Sequence, residues 1–345
     1  MTEGIDIRIE GRAGRITLDR PKALNALTWE MSRAIEAALD GWRDADIDLM
    51  LIDGAGDKAF CAGGDIAEMH ATGSVGDLDY GRRFWRDEYR MNAKMFRFPK
   101  PVVTFLHGFV MGGGVGVGCH GSHRIVNDTT RIAMPECGIG LVPDVGGSLL
   151  LAQAPGRLGE YLGTTGDRMD AGDAIHAGFA DYFVPEGWEA LKARLCETGD
   201  VGEVDRAAAP APPARLAEWQ GQIDRVFGGE TLGDIFRAMP DDPPEPLAHA
   251  QKLMSRNAPL SMAVTVQMIH RVRQRPTIEF ALEQEYRFTH RAMEHGDFLE
   301  GIRAAIIDKD RSPAWQHADW RAVRGGDVLK MTLPLETDTP PLDLG

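Results

Sequence analysis

The alternation of short apolar runs with stretches of helical periodicity over the first 185 residues most constrains the fold. The runs at residues 49–52 and Val102–Leu106 are typical of buried strands, and His123–Val126 is a third candidate. Patterns near residues 80–97 and 170–177 predict helices between the strands. We therefore predict an α/β domain for this part of the chain.

Local patterns near the N-terminus and in the middle of this part add detail. Residues 5–9 and 15–18 predict a β-hairpin. Thr28 is predicted as the N-cap of a helix, because apolar residues at helical spacing follow it. A further helix is predicted over residues 114–121, and a last strand over 180–184.

The composition of the chain changes near residue 199. We predict a core over residues 1–198, an Ala/Pro-rich linker over 199–214, a helical region over 215–325 and a weakly ordered tail over 326–345. Alanine and proline in succession are typical of an extended connection, whereas the region beyond it shows helical patterns separated by prolines and short turns.

The charge and the cysteines exclude several classes of function. A formal net charge of −14 at pH 7 argues against binding to nucleic acid or to an anionic membrane surface. No apolar run reaches the length of about 18 residues that a membrane span needs. The four cysteines are widely spaced and lack metal-ligand spacing, so we expect reduced, buried thiols, no metal site and a cytoplasmic location.

Two glycine-rich segments, at residues 60–65 and 107–114, each follow a strand and open a helical stretch. Glycine lets the backbone approach a ligand closely, and the free N–H groups at the start of a helix favour negative charge. Taken singly, each segment is more typical of a tight turn. Together they predict an oxyanion hole, in which two backbone N–H groups donate to one carbonyl oxygen.

Residues 133–147 place two carboxylates, Glu136 and Asp144, among glycine, proline and apolar residues without a nearby Lys or Arg. A carboxylate taken out of water needs hydrogen-bond donors or has its pKa raised, and two close together push their pKa values apart. Such a pair is suited to acid–base catalysis. The segment by itself is equally compatible with two loop carboxylates whose hydrogen bonds are satisfied.

A third glycine pattern, formed by Gly116, Gly118 and Gly121, matches the dinucleotide-binding sequence G-x-G-x-x-G. That pattern belongs in the turn between a strand and a helix. Here it lies beyond the turn at residues 112–114 and inside the predicted helix, so we do not expect a nicotinamide cofactor.

The segments at 60–65, 111–114 and 134–147, together with residues 20–27, resemble the crotonase (enoyl-CoA hydratase/isomerase) superfamily. This resemblance implies a crotonase-like ββα spiral core with a helical C-terminal region. It also implies an acyl-CoA thioester as the small-molecule substrate and stabilisation of an enolate or oxyanion. Coenzyme A is then part of the substrate, and no cofactor is expected.

Within the superfamily, the chain is more similar to the 3-hydroxyisobutyryl-CoA hydrolase branch than to the hydratases. Hydratases carry a glutamate where this chain has Gly116, whereas the hydrolase spacing of Glu136 and Asp144 is intact. Residues 296–303 and 307–310 also resemble that branch. The resemblance implies hydrolysis of a short 3-hydroxyacyl-CoA thioester, 3-hydroxyisobutyryl-CoA in valine catabolism.

The same resemblance implies roles for five residues. The backbone N–H groups of Gly64 and Gly113 hold the thioester oxygen. Glu136 acts as the nucleophile or as a general base, and Asp144 is the second acid–base group. Glu88 contacts the acyl end of the substrate.

Two alternatives remain open on the sequence. One is an enoyl-CoA hydratase or isomerase that uses Glu136 alone, and the other is a non-catalytic acyl-CoA-binding member. The sequence does not decide whether the helical region covers its own core or that of a second copy in a homo-oligomer. Arg20, Lys22 and Lys58 flank the glycine segments, but nothing assigns the phosphates of CoA to them.

Overall fold

The computed structural model describes residues 2–336 and 339–344. Within them, two β-sheets occupy the N-terminal part of the chain. The strands of the two sheets are β1 (Ile5–Glu10), β2 (Ala13–Leu18), β3 (Leu49–Gly54), β4 (Ala59–Cys61), β5 (Val102–Leu106), β6 (Phe109–Met111), β7 (His123–Val126), β8 (Arg131–Ala133) and β9 (Tyr182–Phe183).

Helices cover the sheets and form most of the remaining chain. The helices that alternate with the strands or directly follow them are α1 (Trp29–Trp42), α2 (Ala67–Gly73), α3 (Asp79–Phe96), α4 (Gly113–Gly118), α5 (Gly147–Gln153), α6 (Leu158–Thr165), α7 (Ala171–His176) and α8 (Trp188–Thr198). The helices of the C-terminal part are α9 (Gly202–Ala207), α10 (Arg215–Val226), α11 (Leu232–Ala238), α12 (Leu247–Met254), α13 (Pro259–Gln274), α14 (Ile278–His295), α15 (Phe298–Ile302) and α16 (Gly325–Thr332).

The larger sheet has the strand order β1-β2-β3-β5-β7-β9. Strands β1 and β2 form the predicted antiparallel hairpin, and the other neighbours are parallel. Every residue of β5 is buried, as expected for a parallel strand that is covered on both faces. The predicted α/β class is confirmed, and the predicted bounds of β5 and β7 agree with the structure.

The smaller sheet consists of three strands of three residues each, in the order β4-β6-β8. All three run parallel, with Val110 opposite both Cys61 and Ile132. Sequence patterns do not reveal this sheet, because three residues are too few to show a period. Its importance is positional, since each strand leads into a segment of the candidate site.

The predicted helices of the core are present, with small differences at their ends. The Thr28 side chain accepts a hydrogen bond from the amide of Met31, at 3.2 Å, and so caps α1 as predicted. Helix α4 ends at Gly118, three residues before the predicted end. All four cysteines are buried and unpaired, which confirms the predicted buried thiols.

The C-terminal helices pack on the core of the same chain. Helix α13 lies against α5 and α6, while α14 lies against α3 and α5. Their fully buried side chains, such as Val264 and Phe288, join one continuous apolar core with residues of the sheets. None of the helices in residues 2–336 and 339–344 has the length and apolar character needed to cross a membrane.

Two segments differ from their predicted character. Helix α9 lies within the predicted linker, and Ala209 pairs with Phe183 of β9. A methyl group built on Gly172 would lie 2.5 Å from the carbonyl oxygen of Pro213, so this stretch is packed on the core. The prediction that residues 199–214 form a linker is therefore wrong, because this segment contains a helix and makes tertiary contacts with the core.

The predicted weakly ordered tail is also wrong for residues 326–332, which belong to helix α16. Val328, Met331 and Thr332 lie on one face of α16, and they are buried where the helix packs on α13 and α14. Spacings of three and four residues place them together on that face. Residues 337, 338 and 345 of the predicted tail, and residue 1 of the predicted core, lie outside the described residues.

Candidate active site

The smaller sheet brings the predicted site segments together. Its strands are parallel, so their carboxyl ends meet at one edge, where ligands of parallel sheets commonly bind. Gly64 follows the end of β4 by three residues, Gly113 follows the end of β6 by two, and Glu136 follows the end of β8 by three. Three segments that are distant in sequence therefore meet in one place.

The two glycine segments approach each other closely at this edge. A methyl group built on Gly113 would lie 3.3 Å from the amide nitrogen of Gly64 and 3.0 Å from Oε1 of Glu88. Gly112 has a φ of 50°, which favours glycine, and a methyl group there would lie 3.0 Å from Oε1 of Glu136. Side chains at these positions would therefore fill the space in front of the carboxyl groups.

The amides of Gly64 and Gly113 are free to bind a ligand. Neither donates a hydrogen bond to another of the described residues, and Gly113 is the first residue of α4, where an amide has no partner within the helix. Two neighbouring free amides form the donor set of an oxyanion hole.

Three carboxyl groups are buried beside these amides. Glu88 comes from α3, Glu136 begins the helical turn Glu136–Ile139, and Asp144 lies in the loop before α5. Their residues are only 3%, 4% and 4% exposed, respectively. Among the described residues, Oε1 of Glu88 and Oε2 of Glu136 have no hydrogen-bond partner, although buried polar atoms are nearly always paired. The described residues therefore leave the hydrogen-bonding capacity of these two buried oxygens unfilled.

Burial sets the protonation of these groups. It raises the pKa of Glu136 well above its ordinary value, and the negative charge of Asp144 adds to that rise. The pKa of Glu88 is raised by the same two causes. Burial raises the pKa of Asp144 to about 7, although a hydrogen bond from Tyr89 opposes the rise. The Asp144 carboxyl group thus exchanges a proton near neutral pH, as acid–base catalysis requires.

One cavity of about 340 Å³ contains all five predicted site residues, Gly64, Glu88, Gly113, Glu136 and Asp144. Its size lies within the range of small-molecule sites. Apolar side chains form much of its wall, and among them are Ile66, Met69, Phe84, Trp85, Leu141 and Val145. The cavity therefore combines an apolar surface with a few polar groups that converge on one point.

Sequence reasoning missed two residues that contact the site. The hydroxyl of Tyr89 donates to Oδ2 of Asp144 at 2.7 Å, and Glu285 binds the loop that carries Asp144. Tyr89 lies 55 positions before Asp144, and Glu285 lies 141 positions after it. Contacts over such separations are set by the packing of α3 and α14, and no local pattern indicates them.

The position of Gly116 leaves no room for a side chain. A methyl group there would lie 2.7 Å from Nδ2 of Asn92 and 2.8 Å from Cβ of Val145. Gly118 is similarly enclosed by Leu106 and Phe60. These glycines lie inside α4 and permit its close packing, which agrees with their predicted place outside a dinucleotide-binding turn.

The three flanking cations have different surroundings. Arg20 pairs with Asp65 at 2.9 Å and donates to the carbonyl oxygen of Ala26, so it helps to hold the first glycine segment. Lys22 and Lys58 are exposed, have no hydrogen-bond or ion-pair partner within the described ranges, and line a cavity of about 250 Å³. They are therefore available to an anionic ligand.

Comparison with known proteins places the sequence among acyl-CoA enzymes. A family model described as enoyl-CoA hydratase/isomerase matches residues 13–331. The mitochondrial 3-hydroxyisobutyryl-CoA hydrolase of Danio rerio is 38% identical over 319 residues, which cover 89% of this chain and 83% of the relative. The Homo sapiens protein of the same name is 35% identical over 343 residues, covering 94% of this chain and 87% of the relative.

Two solved structures are similar over nearly the whole chain. An enoyl-CoA hydratase from Rhodobacter sphaeroides 2.4.1 is 54% identical, has a TM-score of 0.92, and the match covers 96% of this chain and 98% of that one. A carnitinyl-CoA dehydratase from Mycobacterium thermoresistibile is 37% identical with a TM-score of 0.94, and the match covers 99% of both chains. The names of these relatives describe different reactions of CoA thioesters.

Proposed function

Because the chain belongs to the enoyl-CoA hydratase/isomerase family, we propose that it hydrolyses a short 3-hydroxyacyl-CoA thioester. The proposed substrate is 3-hydroxyisobutyryl-CoA, an intermediate of valine catabolism, and the products are 3-hydroxyisobutyrate and CoA. One observation carries the proposal, namely the free amides of Gly64 and Gly113 beside the buried pair Glu136 and Asp144. The names of the relatives from Danio rerio and Homo sapiens support the choice of substrate.

In this mechanism, the amides of Gly64 and Gly113 bind the thioester oxygen. Attack on the carbonyl carbon gives a tetrahedral intermediate, whose negative charge develops on that oxygen. Donors that are already in place stabilise this charge, and the loss of one donor costs on the order of 3 kcal/mol. The apolar wall of the cavity limits competing water and so strengthens the interaction.

Glu136 begins the reaction by one of two routes. It attacks the carbonyl carbon, expels the CoA thiolate and forms a mixed anhydride that water then hydrolyses, or it removes a proton from a water molecule that attacks directly. A single turnover in ¹⁸O-water tests for the anhydride. Label in the Glu136 carboxyl group shows that water attacked the Glu136 carbonyl of an anhydride, whereas label only in the released acid arises either from the general-base route or from attack on the acyl carbonyl of the anhydride.

Asp144 and Glu88 complete the proposed site. Asp144 is the second acid–base group and accepts or donates a proton during the reaction, while Tyr89 holds its carboxyl group in place. Glu88 faces the same cavity with an unpartnered oxygen, and we propose that it binds the 3-hydroxyl of the acyl group.

The pH dependence of hydrolysis tests these protonation states. Either route needs Glu136 as a carboxylate, and burial together with the negative charge of Asp144 raises the pKa of Glu136 well above its ordinary value. We therefore expect kcat/KM to rise with pH, by up to about tenfold for each pH unit while Glu136 is mostly protonated, and to keep rising above pH 7, where Asp144 is already ionised. Initial rates from pH 5 to 9, measured at constant ionic strength with a thiol reagent that reacts throughout this range, provide the test. A rate that rises on acidification contradicts the proposal.

Lys22 and Lys58 are proposed to attract the CoA phosphates, since the protein as a whole is negatively charged. Reversing both charges, in Lys22→Glu/Lys58→Glu, is expected to raise KM about tenfold at low salt with kcat unchanged. The difference should shrink at high salt because ions screen exposed charges. Lys330→Glu, at an exposed lysine of α16, is the control. An unchanged KM at low salt contradicts this assignment.

Hydration of an enoyl-CoA is the second candidate function, because the 54% identical structure from Rhodobacter sphaeroides 2.4.1 is named an enoyl-CoA hydratase. By the resemblance described above, hydratases carry a second glutamate at the position where this chain has Gly116. Gly116 is enclosed by Asn92 and Val145, so this chain offers neither that carboxylate nor space for it. This observation favours hydrolysis.

A substrate panel tests the proposed function. Thiol release from 3-hydroxyisobutyryl-CoA, 3-hydroxypropionyl-CoA and acetyl-CoA is compared with the loss of the enoyl absorbance of crotonyl-CoA. We expect rapid thiol release from the first substrate and little change in crotonyl-CoA. Conversion of crotonyl-CoA without thiol release would establish hydration instead, and calorimetric binding without either reaction would indicate a non-catalytic protein.

A further inference from the structure

We propose that Glu285 is a positioning residue, whose buried carboxyl group holds the turn at residues 144–148 and thereby places Asp144 in the site. This inference rests on the proposed function, since Asp144 acts as an acid–base group only in the proposed hydrolysis. Glu285 itself lies outside the cavity lining and acts through the turn.

Among the described residues, the hydrogen bonds of the Glu285 carboxyl group are all made with this turn. Glu285 belongs to α14 and is completely buried. Its Oε2 accepts a hydrogen bond from the amide of Gly146 at 2.8 Å, and its Oε1 accepts from the amide of Ser148 at 3.0 Å and from the Ser148 hydroxyl. No Lys or Arg of the described chain pairs with it, so the turn supplies its donors.

The turn needs such support because its backbone is strained. Val145 is β-branched and has a φ of 55°, a conformation that is costly for such a residue. A second side chain also binds the turn, since Nε2 of His120 donates to the carbonyl oxygen of Val145 at 2.8 Å. A methyl group on Gly146 would lie 2.5 Å from that nitrogen. Glu285 and His120 thus both bind the backbone of the turn.

Helix α14 supports Asp144 at a second position. Thr289 lies one helical turn after Glu285, and its Oγ1 is 3.5 Å from the hydroxyl of Tyr89. That hydroxyl donates to Asp144, whose backbone carbonyl accepts from Gly147 within the turn. The placement of Asp144 therefore depends on a helix more than 130 residues further along the chain.

The chemistry of the carboxyl group explains why a glutamate is suited to this position. Burial raises the pKa of Glu285 to about 8, and the hydrogen bonds from Ser148 and Gly146 oppose that rise. Whether ionised or protonated, a carboxyl group presents an oxygen to both backbone N–H groups. A glutamine of the same shape must present its NH₂ group to one of them, and two donors repel each other.

The substitution Glu285→Gln tests the proposal by kinetics. We expect kcat for 3-hydroxyisobutyryl-CoA to fall about 10–100-fold with KM changed less than about twofold, because misplacement of a catalytic group by about 1 Å costs this much. Glu283→Gln makes the same chemical change at an exposed position of α14 and should leave both constants unchanged. Equal rates for Glu285→Gln and the unmodified enzyme would overturn the proposal.

Combination with Asp144→Asn separates positioning from general damage. If Glu285 acts through Asp144, adding Glu285→Gln to that variant should lower kcat by less than about threefold further. The proposal is overturned if Glu285→Gln lowers kcat in the Asp144→Asn background by the same factor as it does alone. Should Glu285→Gln fail to fold, Ser148→Ala removes a single donor and is expected to lower kcat about threefold to tenfold, again without effect in the Asp144→Asn background. An unchanged kcat in the Ser148→Ala single variant contradicts the role of Glu285.

A crystal structure of Glu285→Gln gives a readout that needs no substrate. We expect the Asp144 carboxyl group to move out of hydrogen-bond distance from the Tyr89 hydroxyl, and an unmoved Asp144 overturns the inference. If the group moves but the unmodified enzyme does not cleave the thioester, the proposed function fails while the structural role of Glu285 stands. If the enzyme is active and Asp144 does not move, the inference alone fails.

Discussion

The variant Glu136→Gln is expected to lose thioester hydrolysis by about 10³-fold or more in kcat, with binding of the substrate largely retained. An amide of the same size neither attacks a carbonyl carbon nor accepts a proton from water. Oε2 of Glu136 has no partner among the described residues, so the substitution costs few contacts of the fold. Steady-state rates give the loss, and calorimetry with a CoA thioester gives the affinity.

The control for this experiment is Glu68→Gln, at an exposed position of the neighbouring helix α2. It makes the same change in charge near the site and should leave both kcat and affinity unchanged. Survival of hydrolysis in Glu136→Gln would show that another group attacks the thioester or activates water.

The variant Gly113→Ala is expected to lower kcat about 10²-fold or more, because its methyl group would keep the thioester oxygen away from the amides, and the loss of one oxyanion donor has an effect of this size. The added methyl group would lie 3.0 Å from Oε1 of Glu88 and 3.3 Å from the amide nitrogen of Gly64. It would therefore occupy the space that we propose for the thioester oxygen. Gly113 is helical and does not have a positive φ, so alanine fits its backbone. The effect should therefore fall on the reaction, and thermal unfolding should change little.

Gly41→Ala is the matched control, because Gly41 lies in α1 with open space around its Cβ position. We expect unchanged activity for it and an unfolding temperature at or above that of the unmodified protein. Full activity in Gly113→Ala would place the thioester oxygen elsewhere, and the oxyanion hole at residues 64 and 113 would have to be abandoned.

Much of the core was predictable because local patterns determine it. Strand β5 is a short buried run, β7 ends in two buried residues, and α1 has Thr28 as a cap. The five predicted site residues line one cavity because each follows or faces the edge of the smaller sheet. The motifs that contain these residues were sufficient to predict the site, since a parallel sheet brings the carboxyl ends of its strands to the same edge.

The remaining features depend on contacts between distant parts of the chain. Strands β4, β6 and β8 are too short to show a period. Tyr89 and Glu285 reach Asp144 and its turn only after α3 and α14 have packed on the core. Helices α9 and α16 gain their stability from the surface on which they pack, which composition does not reveal.

A crystal structure of the Glu136→Gln variant with 3-hydroxyisobutyryl-CoA bound tests the site most directly. We expect the thioester oxygen within hydrogen-bond distance of the amide nitrogens of both Gly64 and Gly113, with the carbonyl carbon facing residue 136 and the 3-hydroxyl near Glu88. A thioester oxygen that contacts neither amide, or an acyl group bound outside the cavity that Asp144 lines, would contradict the proposed function.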